Sequence, residues 1–74
     1  MINTQIGANV KYARESSHIS IDQLAFMIGT SADQIRRIEA GTHRAAAETL
    51  WLMAQELKVS PSVFFTGFDQ SPKM

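Results

Sequence analysis

Apolar residues recur at three- and four-residue intervals along almost the whole chain, and no segment alternates at period two for long enough to form a strand. The pattern predicts an all-α fold of five helices. Ile6, Val10 and Ala13 fall at i, i+4 and i+7 and place a first helix ending near Ser16, with Asn3 or Thr4 as its N-cap. Ser20 followed by Gln23 has capping-box spacing ahead of the stripe Ile21, Leu24, Ala25 and Ile28, and Gly29 closes this second helix. The signature then repeats: Ser31 and Gln34 precede Ile35 and Ile38, with Gly41 as the stop of a third helix. After a polar loop, Thr42 to Arg44, an alanine-rich start without an obvious N-cap leads into Leu50, Met53, Ala54 and Leu57. Ser60 and Pro61 read as N-cap and first position of a short fifth helix, with Val59 packing on Phe64 as a staple, and residues 68–74 form a tail.

The connection between the second and third helices is only about two residues, Gly29 and Thr30, so these helices cross steeply and form a helix-turn-helix. Ala25 is small where the pair presses closest, Gly29 supplies a positive φ, and Ile35 and Ile38 anchor the third helix to the core. With those two isoleucines inward, Ala32, Asp33, Arg36 and Arg37 face outward and Gln34 lies at the margin.

Composition narrows the possibilities. Seventy-four residues, 45% hydrophobic, fit one small domain, read here as residues 1–67. The absence of Cys removes disulfides and thiolate zinc sites, and two histidines, His18 and His43, are too few for a metal without carboxylate help. No cofactor is expected. Ser20, Ser31 and Ser60 stand where caps belong, and no nucleophile elbow or phosphate-cradling glycine motif occurs, so no enzyme is expected either. No run approaches the ~20 apolar residues that cross a bilayer, and no signal peptide is present, which predicts a cytoplasmic protein. Seven Lys/Arg against seven Asp/Glu give zero formal charge, so contact with a polyanion must come from local placement of cations.

From Ile6 to Gly67 the chain resembles the Cro/repressor-type helix-turn-helix (XRE) family, whose domain is the lambda-repressor-like five-helix fold. The resemblance is carried by Ile6-Gly7, Arg14, Ser20, Leu24-Ala25, Gly29, Ile35, Ile38-Glu39, Gly41, Leu50, Ala54, Leu57 and Val59-Ser60. It implies a dimeric transcriptional regulator that inserts the third helix into the major groove of double-stranded DNA. Ala32, Asp33, Gln34, Arg36 and Arg37 are then the base-contacting candidates. Arg37 is the first choice and Arg36 its equal in chemistry, because a guanidinium donates two bonds to guanine O6 and N7. Asp33 suits a cytosine amino group or repels wrong sites. The resemblance places phosphate contacts at Lys11, at the start of the second helix around Ile21 and Gln23, and at Thr42, His43 and Arg44. Ile21 departs from the family, which usually carries a phosphate-binding glutamine there, so that contact falls to backbone N–H groups and the helix dipole. Arg14 and Glu39 match positions of a structural ion pair, and internal neutralisation of Glu39 leaves Arg36, Arg37 and Arg44 as a local basic patch.

Trp51 and Leu52 fall off the stripe of the fourth helix, and with Phe64, Phe65 and Phe68 they predict a C-terminal homodimer interface and a roughly palindromic operator. The alternative is that the final turn and tail cover Trp51 within one chain. A competing functional reading keeps the fold for a protein partner, as an interaction module or an antitoxin.

Overall fold

A computed structural model describes residues 2–65, as four α-helices and a closing 3-10 helix. The helices are α1 (Ile2–Ser16), α2 (Ile21–Ile28), α3 (Ala32–Ala40) and α4 (Ala47–Leu57), followed by the 3-10 helix Pro61–Phe65. At α2 the capping box closes on both arms: Ser20 Oγ accepts from Gln23 N at 3.0 Å, and Gln23 Oε1 accepts from Ser20 N at 2.8 Å. At α3 only one arm forms, from Gln34 N to Ser31 Oγ at 3.1 Å. Ala46 begins α4 with no side-chain cap.

All four α-helices end in the same way. The chain passes through a left-handed residue, and the next N–H reaches back to a carbonyl five residues earlier: Ile19 to Arg14, Thr30 to Ala25, Thr42 to Arg37 and Val59 to Ala54. Gly29 and Gly41 supply that conformation at two of the ends, at φ 77° and 80°. His18 and Lys58 supply it at the others, both at φ 59°. A Cβ on Gly29 would meet nothing within 4 Å, so the only penalty there is the left-handed backbone itself. Gly29→Ala should therefore cost about 1–2 kcal/mol, read as a lower urea midpoint with an unchanged slope.

Each helix contributes one face to a single core. Val10 and Ala13 enter from α1, Leu24 and Ala25 from α2, and Ile35 and Ile38 from α3. Leu50, Met53, Ala54 and Leu57 enter from α4, and Phe64 closes the core from the 3-10 helix. α3 packs against both α1 and α2, so its inner face is held from two sides while its outer face stays open.

Three expectations need correction. α1 begins at Ile2, so Asn3 and Thr4 lie inside the helix and cap nothing. The fifth helix is a 3-10 turn, leaving four α-helices among the described residues. Pro61 brings no N–H, Val63 N donates to Ser60 O at 2.9 Å in the i→i+3 pattern, and five residues are too few for α-helical cooperativity. Phe64 is wholly buried and belongs to the core, so it anchors no dimer. Phe64 and Phe65 are adjacent on a helical turn and cannot face the same way; Phe65 remains 45% exposed. Phe68 and the tail 68–74 lie outside the described residues.

Candidate nucleic-acid interface

The orientation of α3 is set at its inner end by one crossing and one ion pair. Gly7 of α1 lies against the last turn of α3. A Cβ built there would overlap the carbonyl oxygen of Ile38 and lie 2.6 Å from that of Glu39. Beside this crossing, Arg14 Nε–H donates to Glu39 Oε2 at 2.6 Å and Arg14 Nη2–H to Oε1 at 3.2 Å, a bidentate pair. The side chains are only 9% and 7% exposed. Arg14 Nη1–H also donates to Ile19 O at 2.8 Å, so one guanidinium joins α1, the first turn and α3. The hydrogen bond to Glu39 holds the Arg14 pKa above its ordinary value. Burial opposes that shift, and the charges of Glu39 and Glu15 add to it.

On the outer face Asp33, Arg36 and Arg37 are exposed, and Ala32 and Gln34 are half-buried. Arg37 Nε–H donates to Asp33 Oδ2 at 2.9 Å, an i,i+4 pair with both side chains more than 60% exposed. Such a pair is worth only about 0.3–0.5 kcal/mol and is easily displaced. Its consequence is orientation: Nε is occupied and the two terminal nitrogens remain for bidentate donation. Asp33 also offsets one of the three cations counted in the basic patch. Among the described residues Arg36 has no ion-pair partner.

The residues expected at phosphates divide into two groups. Lys11 and Arg44 are exposed cations, and Arg44 stands close to the uncapped start of α4 on the rim of a shallow recess shared with Asn3, Ile6 and Phe65. The others are already engaged. Ile21 packs its side chain on the core, and the Gln23 carboxamide oxygen caps α2. Thr42 donates both its N–H and its hydroxyl to Arg37 O, at 3.0 and 3.3 Å. His43 Nε2 lies 2.9 Å from Gln34 Nε2. Trp51, 52% exposed, and Phe65 remain on the surface, while Leu52 is half-buried.

The residue pattern alone did not assign a structural role to Gly7 or Asn9. Asn9 Nδ2–H donates to Phe64 O at 2.8 Å and fastens the 3-10 helix to α1. The Asp33–Arg37 pairing was legible from its acid-then-base i,i+4 spacing, whereas nothing local signals the meeting of Gln34 and His43.

A helix-turn-helix family model, HTH_3, matches residues 10–64. The chain belongs to that family. Its members include transcriptional regulators of the XRE type. This helix-turn-helix chain is 31% identical over 64 residues to the HTH-type transcriptional regulator y4wC of Sinorhizobium fredii, spanning 86% of the chain and 45% of that protein. It is 32% identical over 59 residues to the HTH-type transcriptional regulator Rv0474 of Mycobacterium tuberculosis, spanning 80% of the chain and 42% of the relative. The chain thus spans less than half the length of these curated relatives. Among solved structures, an HTH_3 family transcriptional regulator from Vibrio cholerae superposes with a TM-score of 0.83 at 34% identity, covering 95% of this chain and 39% of that one. The restriction-modification controller protein C.AhdI from Aeromonas hydrophila shares the fold, with a TM-score of 0.81 at 21% identity over 85% of this chain and 96% of its own. Among the described residues no helix is long and apolar enough to cross a membrane.

Proposed function

We propose that this chain binds double-stranded DNA with sequence preference and regulates transcription, in the cytoplasm and without a cofactor, through the outer face of α3 lying in the major groove. The observation that carries the reading is the asymmetry of α3. Ile35 and Ile38 are buried, and Arg36 and Arg37 are exposed on the opposite side, Arg37 paired with the equally exposed Asp33. A helix packed on one face against α1 and α2 presents its guanidinium groups to base edges without a further ordering of its backbone. Lys11, Arg44 and the helix N-termini supply phosphate contacts that fix the register.

Two copies acting together would use the surface around Trp51, Leu52 and Phe65, since exposed aromatic side chains are typical interface anchors. The bound site would then be roughly palindromic, with half-sites ~34 Å apart. That same apolar surface favours a second reading, in which the fold docks a protein such as a toxin and DNA binding is secondary.

Selection of bound sequences from a random duplex pool separates the readings. The duplex reader enriches a two-fold site, and a pure protein-docking module enriches none. Arg36→Ala and Arg37→Ala should each lose about 1–3 kcal/mol of discrimination at one base pair of the enriched site. Arg44→Ala should weaken all sequences alike and lower the slope of log affinity against log salt by about one. If the two α3 variants bind the enriched site as the parent does, α3 is not the reader.

A further inference from the structure

The two Ser-x-x-Gln motifs of this chain end differently. In α2 the glutamine side chain turns back to its own N-cap, Gln23 Oε1 accepting from Ser20 N at 2.8 Å. In α3 the equivalent Gln34 keeps only the backbone half of the motif and sends its carboxamide to the loop before α4, where Gln34 Nε2 meets His43 Nε2 at 2.9 Å. A carboxamide nitrogen donates and never accepts, so in this contact Gln34 Nε2–H is the donor and His43 Nε2 receives it. The loop that carries His43 is itself anchored. Thr42 donates twice to Arg37 O, and Gly41 turns the chain out of α3 at φ 80°.

The consequence falls on Gln34. The last torsion of a free glutamine is broad and roughly two-fold, so its oxygen and nitrogen exchange places at little cost. With one N–H taken by His43, the carboxamide is held in one sense and retains its oxygen and one N–H. That donor–acceptor couple complements the N6 amino group and N7 of adenine.

We propose that His43 is a positioning residue for sequence recognition. It acts through Gln34, which reads an A·T pair at the edge of the α3 footprint, and does not itself hold phosphate. The inference rests on the duplex-reading function proposed above.

The test is selection from a randomised duplex pool with the wild-type chain and with Gln34→Ala, His43→Ala and His43→Gln. Urea midpoints and salt slopes are measured alongside. The wild type should enrich adenine at one base pair per half-site, and Gln34→Ala should lose that preference. His43→Ala should weaken the same preference by about tenfold while its salt slope stays unchanged. His43→Gln, whose carboxamide oxygen stands near the place of the ring Nε2, should restore it. A His43→Ala chain that keeps the adenine preference overturns the inference alone. So does one that weakens every sequence equally with a salt slope lower by about one, which is the signature of a lost phosphate contact. A wild-type chain that enriches no sequence overturns the duplex-reading proposal and this inference with it.

Discussion

Replacing Glu39 by alanine is expected to cost about 3–5 kcal/mol of folding stability, and Arg14→Ala a similar amount, because each leaves a desolvated charge without its partner. For a domain of this size that is a large share of the whole, since stabilities run at about 0.05–0.15 kcal/mol per residue. Without Glu39, Arg14 keeps the neutral acceptor Ile19 O and a single long contact from Nη2 to the exposed Glu15 carboxylate at 3.8 Å, and neither replaces the buried bidentate pair. The pair itself contributes far less than either truncation removes. The double variant Arg14→Ala with Glu39→Ala should therefore be more stable than the sum of the single losses implies, a coupling that a urea double-mutant cycle measures directly. Single losses below about 1 kcal/mol would mean that the pair is effectively solvated. On the Arg14 side the sign of the pH effect is fixed by its raised pKa. The contribution is fully present below the ordinary arginine range and is lost only as strong alkali passes the raised value, so Arg14 brings no pH dependence near neutrality.

Gly7→Ala is the second large effect, and its sign runs against helix propensity. In an open helix interior this change stabilises by about 1 kcal/mol. Here the new methyl would enter the space of the Ile38 and Glu39 carbonyl oxygens, which are backbone atoms and cannot swing aside. Forcing α1 away from α3 disturbs a close-packed core, and a net cost of about 3 kcal/mol is expected. Ala8, exposed on the same helix, provides the control, since Ala8→Gly should cost only the propensity difference of about 1 kcal/mol. A neutral or stabilising Gly7→Ala would show that α1 and α3 are not in backbone contact. Both predictions bear on function, because Gly7 and the Arg14–Glu39 pair are what aim α3 outward.

How much of this was legible in the residue pattern depends on the range of the interaction that decides each feature. The stripes of α2, α3 and α4 and the stops at Gly29 and Gly41 are local, and they stand in the structure where the pattern placed them. The end of α1 near Ser16 was legible too, whereas the left-handed conformation of His18 and Lys58 that makes the turns after α1 and α4 was not read from the pattern. The start of α1 was misplaced because Asn3 and Thr4 are residue types that favour an N-cap, whereas the helix already runs through them from Ile2. Gln34 shows the limit most clearly. Its spacing from Ser31 promises a closed capping box, yet a ring nine residues further on offers a competing acceptor that no local rule anticipates. Phe64 was grouped with Trp51, Leu52, Phe65 and Phe68 in a dimer interface, while a 3-10 turn after Pro61 rotates it inward and leaves Phe65 outside.

The central claim is that the outer face of α3 lies in the major groove, and methylation interference on an enriched duplex tests it most directly. Methyl groups placed on guanine N7 stand in the major groove, and those on adenine N3 stand in the minor groove. With α3 in the major groove, N7 methylation within each half-site should abolish the retarded complex, and Arg36→Ala and Arg37→Ala should remove the interference at individual guanines. Interference confined to adenine N3, or binding indifferent to methylation in either groove, would contradict it.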